Sequence, residues 1–302
     1  MTDEKRAYLE LHFIVFLYGF TGILGKLISL SELVLVWWRM ALAALGFLLF
    51  WNLVKPIFKK ENKSLILKLV GIGILVALHW VTFFGSVKYS NVSVALVCFA
   101  TTTFFTAVFE PLLLKKQFNW YELGLGFLII PGMYFVVNGI DVSMFFGVFI
   151  GIISSMLAAI FSILNKQLAD QAHPMGITMV ELTSGWVFLT LLLPFYFMYD
   201  SSGQLIPSGW EDILYLLILA WVCTTFAYSV NLRVLKHISA FSANLTIALE
   251  PIYSIIFAIL IFKEHQELSS TFYIGVVIMM LAVFGHPILK NREQRDKSRD
   301  KN

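Results

Sequence analysis

Apolar residues run along this chain in long, unbroken stretches separated by short polar segments. A helix that crosses a bilayer needs about 20 mostly apolar residues. Ten stretches meet that requirement, at roughly residues 9–30, 33–54, 65–87, 92–114, 121–138, 145–168, 176–198, 211–235, 240–262 and 271–289. The fifth is the shortest and contains Pro131. The runs are continuous rather than alternating, which excludes a membrane β-barrel, whose strands switch between apolar and polar at every residue. The predicted fold is therefore all-α and integral to a membrane, with ten transmembrane helices. The connections, such as Lys55 to Ser64, Lys115 to Trp120, Gly139 to Met144 and Asp200 to Gly209, are too short to form a domain of their own.

Composition agrees with a lipid solvent. The 302 residues are 59% hydrophobic and 14% charged, and mean hydropathy is +0.80. A soluble domain is about 45–50% apolar and about 25% charged. Lys5 and Arg6 precede the first run as they would in a signal peptide, but that run outlasts an h-region of roughly 7–15 residues and meets no small-residue cleavage site. It is expected to be the first membrane helix. Cys98 and Cys223 both lie inside apolar runs and read as small buried hydrophobes, not as a disulfide framework.

Charge placement sets the orientation. With ten spans, both termini share one side with four loops. That side carries 18 of the 22 lysines and arginines, including Lys55, Lys59, Lys60, Lys63, Lys115, Lys116, Arg233 and Lys236. The opposite side keeps Lys88 and Lys263, while Lys26 and Arg39 fall within spans. The positive-inside rule then puts both termini in the cytoplasm and the chain in the cytoplasmic membrane. The tail, residues 290–302, is wholly polar and reads as disordered.

The two halves resemble each other. Gly19 to Lys26 in the first helix parallels Ala159 to Lys166 in the sixth. Ser93, Leu96, Gln117 and Gly126 follow the same order as Ser242, Leu245, Gln266 and Gly275. The repeats are expected over 1–144 and 145–289. Five helices per repeat is an odd number, so tandem copies enter the membrane from opposite sides. Inverted repeats of this kind recur in secondary transporters.

Several short motifs, in order, carry a family resemblance. They are Leu17-Tyr18-Gly19 with Lys26, Trp38-Arg39 with Ala43, Val87-Lys88-Tyr89-Ser90, and Leu249-Glu250-Pro251 followed by Phe262-Lys263-Glu264 and Gly275. Over residues 9–289 the sequence resembles the EamA family of the drug/metabolite transporter superfamily. Two departures stand out: Thr102 occupies the position that aligns with Pro251, and Tyr18 stands where tryptophan is commoner. The resemblance implies a secondary transporter working by alternating access, typically exporting amino acids or related metabolites.

Ionisable side chains are costly at membrane depth and usually mark a site or a structural pivot. Glu250 lies mid-span beside Pro251, which frees a backbone carbonyl. It can bind a cationic group or take up a proton, or it can simply bond a neighbouring helix. Arg39 can meet a substrate carboxylate, or pair with Glu32 near the membrane face. Glu181 reads as a structural partner of Lys166 or Arg233, and Glu110 as a rim partner of Lys115 and Lys116. His79 is either pH-sensitive or a packing residue. Trp80, Tyr228 and Tyr253 can help wall an apolar pocket, as can Phe83, Phe84, Phe104 and Phe105, with lipid contact as the alternative. Thr102, Asn231 and Asn244 offer hydrogen bonds in a midplane pocket or between helices. Gly147 and Gly151 have the spacing that lets two helices approach closely.

No phosphate-binding loop, His-Glu-x-x-His, cysteine metal cluster or nucleophile elbow is present, so no cofactor or metal is expected and no enzyme activity. The basic tail suits a lipid surface rather than nucleic acid. The expected partners are a small-molecule substrate and membrane lipid, with monomer and homodimer both open. An intramembrane enzyme and a substrate-selective channel are the alternative classes.

Overall fold

The computed structural model describes residues 2–199 and 203–281. The described residues are helical and contain no strand. Among the described residues, nine helices are long and apolar enough to cross a membrane: α1 (Asp3–Leu27), α2 (Glu32–Phe58), α3 (Lys60–Tyr89), α4 (Val92–Leu114), α5 (Trp120–Val137), α6 (Val142–Leu168), α7 (Pro174–Tyr199), α8 (Trp210–Val234) and α9 (Ala240–Phe262). A shorter apolar helix, α10 (Ser270–Leu281), follows. It is the described part of the tenth run expected from sequence. The remainder of that run and the polar tail lie outside the described residues.

Helices satisfy every backbone donor and acceptor within the segment, which is why a chain immersed in lipid adopts them. Side chains help at the starts. Thr2, Asn91 and Ser239 each accept a backbone amide in the first turn of α1, α4 and α9. Polarity is then arranged inside out relative to a soluble protein. Leu49 and Met198 are 83% exposed on the outer surface, whereas Arg39, His79, Glu181 and Glu250 are buried in the interior.

Close helix contacts depend on small residues. A Cβ at Gly147 would lie 2.7 Å from the Ser90 Cβ, and one at Gly151 would lie 2.7 Å from the Ser86 Oγ and 2.9 Å from the Cys98 Cβ. The glycine pair expected from sequence to permit close packing thus seats α6 against α3 and α4.

Several spans depart from regular α-helix near mid-membrane, α5 among them with a break at Leu128. α4 breaks at Thr101, and α9 breaks at Ala248 and Leu249, immediately before Glu250. α8 is π-helical from Ile218 to Phe226. Both α4 and α9 end in a left-handed lysine, Lys115 at φ 52° and Lys263 at φ 58°.

Helices α4 and α9 clasp each other through carboxylates. Glu264, just past α9, accepts the amides of Val92 and Ser93 at 3.1 Å each and the Ser93 hydroxyl at 2.7 Å. Lys26, at the end of α1, completes the cluster with an ion pair of 2.9 Å. At the other face, Glu110 near the end of α4 accepts the Phe241 amide in the first turn of α9 at 3.2 Å. Glu110 also pairs with Lys116 at 3.5 Å, which matches the rim pair expected from sequence. In both places a negative charge meets the positive end of a helix.

Candidate functional site

The breaks in α4 and α9 and the π-helical stretch surround a buried cavity of about 70 Å³ between α1, α2, α3, α4, α6, α8 and α9. That is room for a few waters or a compact organic group. Two opposite charges belong to its wall, Arg39 from α2 and Glu250 from α9. Each is only 3% exposed, yet no ion pair within 4 Å joins them among the described residues.

Arg39 is fixed by its neighbours. Its Nε donates to the Thr224 hydroxyl at 2.7 Å. The π-helical stretch positions Thr224, whose hydroxyl in turn donates to the Leu219 carbonyl. The guanidinium carbon lies 3.8 Å from the centre of the Trp80 ring, a cation–π contact. Nη1 is buried and has no protein partner. A planar cation held this way presents a spare donor to an anionic group. Thr224 therefore takes the place of Glu32, the partner considered for Arg39 from sequence.

Glu250 opens the second half of α9; Pro251 follows it and carries no amide, and the Ile252 amide donates to the Leu249 carbonyl at 3.0 Å. Its carboxylate forms no ion pair within 4 Å among the described residues. It is therefore available to a cationic group or a proton.

The remaining wall is aromatic and polar. His79 bonds Ser154 through Nδ1, at 3.0 Å to the carbonyl and 2.8 Å to the hydroxyl, and packs among Phe83, Phe99 and Phe161. Trp80 meets Tyr228 edge-on at 6.1 Å. Asn244 donates to Thr106 at 2.9 Å and accepts from Ser162 at 3.2 Å. Asn231 keeps an unpartnered Oδ1.

Eight of the residues singled out from sequence thus share one cavity: Glu250, Arg39, His79, Trp80, Phe83, Tyr228, Asn231 and Asn244. Phe84, Phe104, Phe105, Thr102 and Tyr253 are not part of its wall. The Thr102 hydroxyl turns back to the Phe99 carbonyl at 2.6 Å, and Tyr253 packs edge-on against Phe16 at 5.5 Å. Tyr18, Thr21, Phe161, Ser162 and Cys223 also line the cavity without having been singled out for it. Glu181 has different partners from those expected. It is bonded by Tyr228 at 3.0 Å and Asn165 at 3.4 Å. Lys166 instead reaches the carbonyls of Leu235 and Lys236, and Arg233 pairs with Glu10 at 3.0 Å.

A profile of the EamA-like transporter family matches residues 6–138 and 145–286. A protein of Archaeoglobus fulgidus described as an uncharacterized transporter is 25% identical over 293 residues, spanning 94% of this chain and 97% of its own. Another uncharacterized transporter, from a Synechocystis species, is 23% identical over 247 residues, spanning 78% of this chain and 71% of its own. A solved crystal structure shares the fold with a TM-score of 0.65 at 11% identity, covering 96% of this chain and 98% of that one.

Proposed function

The chain belongs to the EamA-like transporter family, and we propose that it exports a small amphoteric metabolite, an amino acid or a related compound, across the cytoplasmic membrane by alternating access. It is a multi-pass membrane transporter; the substrate, direction and energy source are our assignment. The observation that carries it is the unpaired coexistence of Arg39 and Glu250 in one aromatic-walled cavity. Two buried opposite charges that are not paired are expensive to maintain. A ligand with a carboxylate for Arg39 and an ammonium for Glu250 would neutralise both. The aromatic rings suit the apolar part of such a molecule.

The direction, export, follows the family resemblance. The basic residues on the amino-terminal side support cytoplasmic termini. An ion gradient would supply the energy, with Glu250 taking up a proton when no ammonium group occupies the site. The test is uptake and counterflow of labelled amino acids in proteoliposomes of purified protein, with and without a pH gradient. Saturable flux that competes among zwitterions supports the assignment. Flux that never saturates would point to a channel, and no flux of any zwitterion would refute the substrate class.

A further inference from the structure

We infer that Glu181 and Asn165 form a second site, for one monovalent cation, a proton or a sodium ion, joined to the substrate cavity through Tyr228. The three residues come from α7, α6 and α8. Glu181 is fully buried, and Asn165 is 2% exposed. Glu181 Oε2 accepts from the Tyr228 hydroxyl at 3.0 Å and from the Asn165 Nδ2 at 3.4 Å. Asn165 Nδ2 also donates to the Tyr228 oxygen at 3.1 Å.

What is left over identifies the ligand. Glu181 Oε1 and Asn165 Oδ1 are both buried without a partner. Both atoms are acceptors, and acceptors on adjoining side chains cannot satisfy each other. A buried carboxylate oxygen without a donor costs far more than a made hydrogen bond returns. A proton on Oε1, or a small cation between the oxygens, supplies what both lack. A third unpartnered oxygen, Asn231 Oδ1, sits one turn along α8 from Tyr228.

Among the described residues, no ion pair within 4 Å reaches Glu181. On α6, Lys166 is committed to the Leu235 and Lys236 carbonyls. On α8, Arg233 is committed to Glu10. On α2, Arg39 donates through Nε to Thr224 and stacks on Trp80, and forms no ion pair with Glu181 among the described residues. From α3, His79 turns to Ser154, and Gly73 lies against the Glu181 backbone, where an added Cβ would collide with the Glu181 carbonyl. The titratable group in contact with Glu181 is Tyr228, with Tyr18 of α1 acting on Tyr228 in turn.

Tyr228 gives the site a readout. Its ring lines the substrate cavity while its hydroxyl donates to Glu181. When Glu181 is charged, that hydroxyl is held as its donor. Adding a proton or sodium ion neutralises the carboxylate and weakens it as an acceptor. The Tyr228 O–H is then free to turn and donate into the cavity. Cation occupancy at Glu181 would thus change how the cavity binds its ligand. This coupling rests on the transport function proposed above; the cation binding does not.

The test uses the full chain in lipid nanodiscs with no substrate, so that its outcome is independent of the substrate assignment. Infrared difference spectra follow the carboxyl groups as pH is lowered and, separately, as sodium chloride is added at fixed pH against potassium chloride. The wild type should show a buried carboxyl signal responding to one of the two. A signal that forms on acidification regardless of sodium identifies the proton; one that sodium suppresses at constant pH identifies sodium. Glu181 and Glu250 are both buried carboxyls; the band that is lost in Glu181→Gln and kept in Glu250→Gln is the Glu181 response, and Asn165→Ala should weaken that band at least tenfold. Tyr228→Phe should keep the carboxyl response but lose the tyrosine band that changes with it in the wild type. A Glu181→Gln protein that is folded by circular dichroism and responds like the wild type would overturn the site, as would a wild type that responds to neither cation. An intact response without transport of any amino acid would refute the transport assignment alone.

Discussion

Arg39 and Glu250 share the wall of one buried cavity without closing an ion pair, each only 3% exposed. The arrangement is costly unless a third party completes it, because a buried charge without a partner is worth several kcal/mol of destabilisation. Thr224 and Trp80 hold the guanidinium in place but do not neutralise it. The proposed substrate supplies the missing opposite charges.

Replacing Arg39 should therefore damage binding more than folding. Arg39→Lys keeps the charge but loses the planar stack on Trp80 and the fixed donor geometry. Amino acid affinity is expected to fall by about 10- to 100-fold, equivalent to roughly 1.4–3 kcal/mol, measured by calorimetry or competition in proteoliposomes. An unchanged affinity would remove Arg39 from the site.

Glu250→Gln should separate driving force from fold. Glutamine preserves shape and hydrogen-bonding capacity but cannot take up a proton. A pH gradient should accelerate flux by the wild type and leave the variant unaffected, while thermal stability stays close to wild type. A variant that still responds to the gradient would exclude Glu250 as the proton carrier.

Glu264 is the structural counterpart of these functional charges. It is fully buried, and it ties Lys26 to the first turn of α4. Removing it leaves Lys26 and two amides without their acceptor. Glu264→Ala is expected to cost about 3–5 kcal/mol, the usual penalty for breaking a buried pair from one side. The measurement is a thermal or denaturant melt in detergent; a loss below about 1 kcal/mol would mean the cluster is not a clasp.

The α6 contact with α3 and α4 makes a packing prediction. Gly151→Val would force side-chain atoms into Ser86 and Cys98. A cost of about 1–3 kcal/mol is expected for such overpacking, with fluorescence-monitored melting as the check.

His173 gives a pH prediction outside the membrane. Its ring nitrogen accepts the Met175 amide at 3.3 Å, at the start of α7. Partial burial, then the Lys236 and Arg233 charges, hold its pKa below the usual histidine value. The neutral ring is thus favoured in the fold. The contribution is present above the ordinary value near 6.5 and is lost as pH falls below it toward the depressed folded value. The protection factor of the Met175 amide, its exchange corrected for the intrinsic pH dependence, should fall as pH drops below about 6.5, and His173→Asn should flatten that dependence.

The architecture was legible because lipid imposes a simple code. Continuous apolar runs of helix length gave the spans, and ionisable residues within them, Arg39 and Glu250, drew attention to the cavity. The rest of the wall was less legible for a physical reason. Tyr18, Phe161 and Ser162 occupy helix faces whose phase does not tell a cavity from a helix contact. The π-helical stretch at 218–226 shifts the phase of α8, so nothing local in the sequence tied Thr224 to Arg39. The breaks in α4 and α9 similarly turn Thr102 and Tyr253 away. The partners of Glu181 and Glu264 are long-range contacts between separate helices, and no local pattern encodes them.

The central claim is that the cavity charges recognise the two ends of one substrate. The most direct measurement compares binding of an amino acid, its decarboxylated amine and its deaminated acid to wild type, Arg39→Gln and Glu250→Gln proteins. The account expects the amino acid to bind best. It expects Arg39→Gln to weaken the amino acid and the acid but not the amine, and Glu250→Gln to weaken the amino acid and the amine but not the acid. Equal binding of all three compounds to all three proteins would contradict it.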